Sequence, residues 1–488
     1  MGLLNFMAPP AHKPELPKEK IDKEYKSMRW KVFVGIYLGY AAYYLVRKNL
    51  SFAGADMEQL GYIDKVGLGD AMAGMPIAYA VSKFLMGGLS DRSDARKFMT
   101  IGLIISAIVM IVAGVIPYPK EIGATTAILF VLTCLTGWFS GMGWPPCGRV
   151  MSQWFSTNER SFKMSVWNTA HNIGSSGLAW LATIGGGSIL VLFGLSTTEA
   201  GWREAFIIPS IAALGVAALC WWFIRDTPES CGLPPIDKYR NDFSGAKAKK
   251  GEEEKIPFKT LFVDYILKNK VLWLIGFANV LVYLVRNGIS DWLPIYLQDV
   301  LTTDFGIAKE VAKEQSKNLY AYHMIAAIPG TLIAGWLSSK FFQGRCAPVN
   351  VICMAVTAVG AFIYWQAEPL AAMLGVEYLT MVTAALAITG FAVYGPVAMI
   401  SIQAIAIVPK NAAGTAAGFM GLLGYLIGDA FLSKIAFGRI VESGANGWNL
   451  TFIGFFAASV IAAVICLLAM GKEKKMFAER IAAAKTDK

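Results

Sequence analysis

Apolar residues in this chain gather into long unbroken runs separated by short polar stretches. A membrane-crossing helix needs roughly 20 mostly apolar residues, about 30 Å of rise. Twelve runs meet that length: about 31–52, 67–89, 98–117, 125–149, 162–186, 204–224, 269–290, 318–338, 347–366, 378–403, 411–437 and 449–470. Only helices and closed barrels leave no backbone group unsatisfied in lipid. Runs this long and this continuously apolar predict helices, so the expected class is an all-α membrane protein with twelve transmembrane helices.

The polar breaks organise the runs. One is long: residues 225–260, beginning "RDTPESCGLPPIDKYRNDFSG", rich in proline, glycine and mixed charge, as a linker is. Six runs lie on each side, which divides the chain into 1–224, a linker at 225–260, and 261–488. The two parts also repeat one another. Tyr44-Leu45-Val46-Arg47 recurs 239 positions later as Tyr283-Leu284-Val285-Arg286. "GGLSDRSDARK" (87–97) matches "GWLSSKFFQGR" (335–345), and "GWPPCGR" (143–149) matches "VYGPVAM" (393–399). Three matches in the same order predict two pseudo-symmetric six-helix halves, a layout that places a substrate site near the bilayer midplane.

Composition agrees with the pattern. Of 488 residues, 55% are hydrophobic and 16% charged, against about a quarter charged in soluble domains; the mean hydropathy is +0.49. Lysine and arginine concentrate in the first 30 residues, in the 91–97 loop (Arg92, Arg96, Lys97), in the linker and after Met470. With twelve spans these all fall on one side, which the positive-inside rule makes the cytoplasm. Both termini are expected there. The net charge of +10 is thereby topological, and a nucleic-acid partner is not expected. The amino terminus is polar and has no signal-peptide core. Seven cysteines show neither paired nor metal-ligand spacing and read as small apolar residues. No phosphate-binding loop of the ATPase type and no nucleophile–base pair occurs, so neither an enzyme nor a cofactor is expected.

The candidate chemistry lies inside the runs. Arg47 and Arg286 each stand 15 residues into their run. A charge at mid-membrane costs roughly 2.5–3.5 kcal/mol on insertion scales. Either the two snorkel to an interface, or they form a symmetric anion clamp. Tyr40, Tyr44 and Arg47 share a helical face, as do Asn279, Tyr283 and Arg286. Tyr79 and Lys83 are four apart, and so are Trp167 and His171. Each stripe taken singly is compatible with plain helix packing; four on four spans, with net positive charge, suit an anion. Arginine offers paired planar donors for phosphate and stays charged when desolvated. His171 titrates near neutrality, close to the second ionisation of phosphate monoesters at about 6, or is a histidine packed between helices.

On these residues the chain resembles the organophosphate:phosphate antiporters of the major facilitator superfamily. The stretches that carry the resemblance run from "APPAHK" (8–13) through "GYAAYYLVRKN" (39–49), "GMGWPPCGR" (141–149) and "RDTPESCGLPPI" (225–236) to "KNAAGTAAGF" (410–419). The resemblance implies rocker-switch exchange of glycerol 3-phosphate or a similar organic phosphate for inorganic phosphate. The expected setting is a monomer in the bacterial inner membrane, with only lipid and the phosphates as partners. It implies that Arg47 and Arg286 grip the phosphoryl group, with Lys83 and His171 beside them. Tyr40, Tyr44, Tyr79, Tyr283, Tyr394, Trp144 and Trp167 would line the cavity, and Lys48 and Asp291 would form exchanging salt bridges. Three positions depart from the pattern. Met324, beside His323, stands where the family usually has glutamate; Ser339 stands where it has aspartate; and Asp429 stands where glycerol-phosphate members carry glycine and hexose-phosphate members aspartate. Asp429 is therefore a candidate for selectivity, or it pairs with Lys434 or a backbone group. Hexose 6-phosphate exchange, and a non-transporting hexose-phosphate sensor, are the alternative functions.

Overall fold

The computed structural model describes residues 6–90, 92–182, 197–241, 261–408, 413–444 and 446–486. Asp91, the 183–186 end of the fifth run, residues 242–260 of the linker and residues 410–412 lie outside them. The described residues contain helices and turns and no strand. Among them, nine helices are long and apolar enough to cross a bilayer: Ala95–Val115, Ile122–Trp154, Gly201–Phe223, Lys270–Thr303, Lys309–Phe341, Ala347–Trp365, Tyr378–Ile405, Thr415–Glu442 and Gly447–Lys475. The other three expected runs are also helical but more polar or interrupted. The first is the helix Lys18–Leu45 followed, after a turn, by Asn49–Gln59. The second is Lys65–Ser90, with Pro76 inside it. The fifth is split into Thr157–Asn168 and Ala170–Leu181. These three carry Tyr40, Tyr44, Arg47, Tyr79, Lys83, Trp167 and His171, and their polar groups and breaks shorten the apolar stretch.

The chain divides into two compact units. One comprises Met1–Met57, Ile77–Lys120 and Ala127–Glu253; the other comprises Glu58–Pro76, Glu121–Thr126 and Glu254–Lys488. In each, helices approach through small residues, as expected where lipid removes the hydrophobic drive between helices. A Cβ on Gly174 would lie 2.0 Å from the carbonyl oxygen of Ala41 in the first unit, and one on Gly330 would lie 1.7 Å from that of Phe391 in the second.

Local chemistry sets the helix starts. Asn269 Oδ1 accepts the N–H groups of Val271 and Leu272 at 3.1 and 3.2 Å, satisfying donors that open the Lys270–Thr303 helix. In each unit an acidic side chain far along the chain, Asp226 beyond the Thr197–Phe223 helix and Glu473 within the Gly447–Thr486 helix, performs the same service for a distant helix. Asp226 accepts from the Ala95 N–H at 3.1 Å and meets Arg149 Nη2 at 2.8 Å. Glu473 accepts from the N–H groups of Cys346 and Ala347 at 3.1 and 3.0 Å. Ser339, one of the three departures, lies in the last turn of the Lys309–Phe341 helix, bonds its own helix at Gly335 and is exposed.

The amino-terminal segment packs on the described part of the linker. Lys13 N–H donates to Glu229 and Leu16 N–H to Gly232, at 2.9 and 2.8 Å. The Tyr25 hydroxyl donates to Pro234 at 3.0 Å, and its ring stacks on Tyr239 at 3.9 Å. The similarity carried by "APPAHK" and by "RDTPESCGLPPI" therefore falls on two stretches that bond to each other. All seven cysteines are free thiols.

Candidate functional site

In the first unit the helix Lys18–Leu45 ends just before Arg47, and Val46 and Arg47 form a turn. Asn49 supplies what the break removes: its Nδ2 donates to the Leu45 carbonyl at 3.0 Å and to that of Ala205 at 2.8 Å. Arg47 is thus presented from a helix end rather than from the continuous face its spacing suggests. Its guanidinium carbon lies 4.4 Å from the Tyr44 ring centre and 4.6 Å from that of Tyr79. Its Nη2 donates to the Ser140 carbonyl at 3.2 Å.

From Arg47 an unbroken set of contacts reaches Tyr40, Tyr44, Tyr79, Lys83, Trp144, Trp167 and His171. Lys83 Nζ lies 5.8 Å from the Tyr79 ring and 5.5 Å from that of Trp144. Tyr44 meets His171 at 5.6 Å and Tyr40 edge-on at 5.5 Å. Tyr40 stacks on Trp167 at 4.5 Å, and Trp167 Nε1 donates to the Ile36 carbonyl at 3.1 Å. His171 is 8% exposed, and its Nδ1 bonds the Asn168 carbonyl. Trp144 is the open end, 39% exposed. Lys48 lies in the same turn as Arg47, half-buried.

The second unit repeats the device with differences. Arg286 stands inside the continuous helix Lys270–Thr303, 7% exposed. Its guanidinium carbon is 4.8 Å from the Tyr394 ring and 5.7 Å from that of Tyr283. Tyr394 donates its hydroxyl to Met324 Sδ at 3.2 Å, so the position where a carboxylate was expected holds a neutral acceptor. His323 bonds the Leu386 carbonyl at 2.9 Å. Tyr283 packs edge-on against Tyr425 at 4.9 Å. Tyr425 was not singled out, although it opens the stretch that carries Asp429. Asn279, on the Tyr283–Arg286 stripe, donates to the Met420 carbonyl at 2.7 Å.

Asp291 and Asp429 come together through Lys434. The ammonium group lies 2.6 Å from Asp291 Oδ2 and also bonds Asp429 Oδ1, and all three side chains are buried. Residues Leu423–Ala436 form a π-helix, whose wider turn brings residues five apart onto one face. Asp429 and Lys434 are five apart. On an ordinary α-helix that spacing would point them in different directions; the π-helix supplies the geometry for the Lys434 pairing that the sequence offers as one alternative for Asp429.

Each unit therefore holds an arginine against two tyrosine rings. A guanidinium over an aromatic face gains about 0.5–2 kcal/mol, which offsets part of its transfer cost while leaving its N–H edges able to bond an anion.

Comparisons with known proteins agree with this architecture. Residues 36–433 match the family model described as the Major Facilitator Superfamily. The chain is 41% identical over 476 residues to the glycerol-3-phosphate transporter of Bacillus subtilis (strain 168), covering 97% of this chain and 99% of that protein. It is 33% identical over 473 residues to a probable hexose phosphate transport protein of Chlamydia pneumoniae, covering 95% and 96%. In fold it is similar to the crystal structure of a bacterial homolog of the human lysosomal transporter Spinster. The TM-score is 0.67 at 17% identity, over 92% of this chain and 98% of the other.

Proposed function

The chain belongs to the major facilitator superfamily, and on that footing we propose that it exchanges glycerol 3-phosphate for inorganic phosphate across the bacterial inner membrane. The observation that carries the reading is the repeated arginine. Arg47 and Arg286 occupy the same Tyr-Leu-Val-Arg motif in the two parts of the chain, and each lies against two tyrosine rings of its own unit. Two guanidinium groups balance a phosphate dianion and supply paired donors to its oxygens. Lys83 adds a point charge and His171 a titratable one. Tyr40, Tyr44, Tyr79, Tyr283, Tyr394, Trp144 and Trp167 line the site. The protein acts as a monomer with twelve spans and both termini in the cytoplasm. Its two halves rock about the bound phosphate, with Lys48 and Asp291 exchanging ion pairs as they do so.

Glycerol 3-phosphate as the organic moiety is supported by the similarity to the glycerol-3-phosphate transporter of Bacillus subtilis. Asp429 favours a second reading, hexose 6-phosphate, because a carboxylate accepts sugar hydroxyls. Proteoliposomes loaded with phosphate and offered labelled glycerol 3-phosphate or glucose 6-phosphate test the proposal. Phosphate-dependent uptake of the first supports it, uptake of the second alone selects the alternative, and binding without uptake of either points to a sensor.

A further inference from the structure

The first turn of the helix Ala95–Val115 and the end of the helix Thr197–Phe223 meet at arginines and tryptophans that the phosphate site does not use. Lys97 is the last charged residue before the 98–117 run, and Arg225 is the first after the 204–224 run. This meeting point therefore lies where hydrocarbon gives way to lipid headgroups.

Trp221 is gripped from two sides. The Arg96 guanidinium carbon lies 4.8 Å from its ring centre. Arg225 reaches its main chain: Nη1 donates to the Trp221 carbonyl at 3.5 Å and to the Ile224 carbonyl at 2.7 Å, satisfying acceptors left over at the helix end. Trp222, the next residue round the helix, is 66% exposed. It continues the exposed stripe of Ile211 and Leu219, the face this helix turns to lipid.

Two carboxylates stand close by, and both are engaged on the inner side. Asp94 accepts the Arg96 N–H at 2.9 Å, and its other oxygen is 3.8 Å from the Arg96 guanidinium. Asp226 accepts the Ala95 N–H and meets Arg149. Both acids are buried, whereas the Arg96 side chain is 27% exposed. Among the described residues Arg225 bonds main-chain carbonyls and no carboxylate. Three arginines against two buried acids leave the outward edge positive.

Snorkelling also brings arginine to a membrane surface, but a snorkelling side chain extends freely toward water. Arg96 and Arg225 are instead folded onto Trp221, one by its ring and one by its carbonyl. Their planar N–H edges are held in place, which suits paired bonding to phosphate oxygens. An indole at headgroup level beside them suits the boundary between headgroup and acyl chain.

We propose that Arg96, Arg225 and Trp222 form a binding site for the headgroup of an anionic phospholipid, whose acyl chains lie along the stripe of Ile211, Leu219 and Trp222. The occupant is a lipid because the site is continuous with that exposed apolar stripe. Anionic headgroups are plentiful in the cytoplasmic leaflet, the side to which the positive-inside rule assigns these loops. The inference needs only that the chain spans a bilayer, and it stands apart from the exchange reading.

The test reads Trp222 directly. Full-length protein is reconstituted into phosphatidylcholine vesicles containing an equal fraction of either brominated phosphatidylglycerol or brominated phosphatidylcholine. Bromine quenches indole fluorescence on contact, and the difference from the Trp222→Phe protein isolates Trp222. Brominated phosphatidylglycerol should be preferred by about fivefold or more, the usual worth of one basic side chain at an anionic surface. Arg96→Gln and Arg225→Gln should each lower the preference, the double variant should abolish it, and Arg225→Lys, which keeps the charge, should retain most of it. Equal quenching by the two lipids in the unmodified protein overturns the site, and so does a preference unchanged in the double variant. Excess inorganic phosphate at constant ionic strength should leave the preference in place; its loss would mean that the site takes free phosphate, and the lipid assignment falls. Where a glutamine variant does not fold, high salt applied to the unmodified protein decides in its place: the preference should be screened away, and one that persists overturns the site. No transport is measured, so failure here leaves the exchange reading untouched.

Discussion

The guanidinium carbon of Arg47 lies 4.6 Å from the centre of the Tyr79 ring, on a different helix, and Arg286 lies 4.8 Å from the ring of Tyr394 in the same manner. In both units an aromatic ring from another helix flanks the arginine. Tyr79→Phe and Tyr394→Phe keep the aromatic face and should retain most phosphate affinity. Alanine at either position should lower it by about twofold to thirtyfold, the range of a cation–π contact of about 0.5–2 kcal/mol. Equal losses from phenylalanine and alanine, in binding titrations with inorganic phosphate, would assign the effect to the hydroxyl.

Lys434 holds two buried carboxylates, and removing it leaves them without that cation. Lys434→Ala should lose about 3–5 kcal/mol of stability, the usual penalty for breaking a buried pair from one side. Thermal unfolding in detergent measures this.

The Asp429–Lys434 pair also bears on selectivity. With its carboxylate engaged, Asp429→Gly should weaken inorganic phosphate, glycerol 3-phosphate and hexose 6-phosphate alike. A loss confined to hexose 6-phosphate in competition assays would give Asp429 the sugar-binding role instead.

His171 sits 5.6 Å from Tyr44, within the group around Arg47. Its protonation adds positive charge where phosphate is proposed to bind. His171→Gln should flatten the dependence of phosphate affinity on pH between about 6 and 8. A profile identical to wild type would leave the titration to phosphate alone.

Glu159, between the fourth and fifth runs, ties three elements together. It meets Arg29, lies 3.7 Å from Arg240 and accepts from the Ser156 N–H at 3.2 Å. Partial burial pushes its carboxyl up, but the hydrogen bond and charge of Arg29, with Ser156 and Arg240, outweigh that and hold it below the ordinary carboxylate value. An acid held low stabilises the folded state fully above its unfolded value of about 4.3 and loses that contribution as pH falls through its folded value. The stability gap between wild type and Glu159→Gln should therefore persist at neutral pH and close on acidification. A gap that stays constant to below about pH 3 would contradict the linkage.

Much of this was legible in the sequence because membrane burial makes polar residues expensive. Arginines, tyrosines and a histidine at helical spacing inside apolar runs had few reasons to be there. The structure joins five of those in the first unit, together with Lys83, Trp144 and Trp167, through direct contacts. What the spacing could not show was local backbone geometry. The turn at Val46 and Arg47 depends on Asn49 bonding the Leu45 carbonyl, which no period reveals. The Asp429–Lys434 pair depends on a π-helix that changes which residues share a face. The runs bearing Arg47, Lys83 and His171 are also the three that do not form long, continuously apolar helices among the described residues, since the groups that mark the site reduce their apolar character.

The most direct test of the central claim is inorganic phosphate exchange by Arg47→Lys and Arg286→Lys in proteoliposomes. Lysine keeps the charge and removes the paired planar donors. If both arginines grip phosphate, each variant should lose at least about tenfold in exchange, since a charge-assisted hydrogen bond is worth about 1.5–3 kcal/mol. Near-normal exchange by both lysine variants would contradict the clamp and leave the arginines as interfacial anchors.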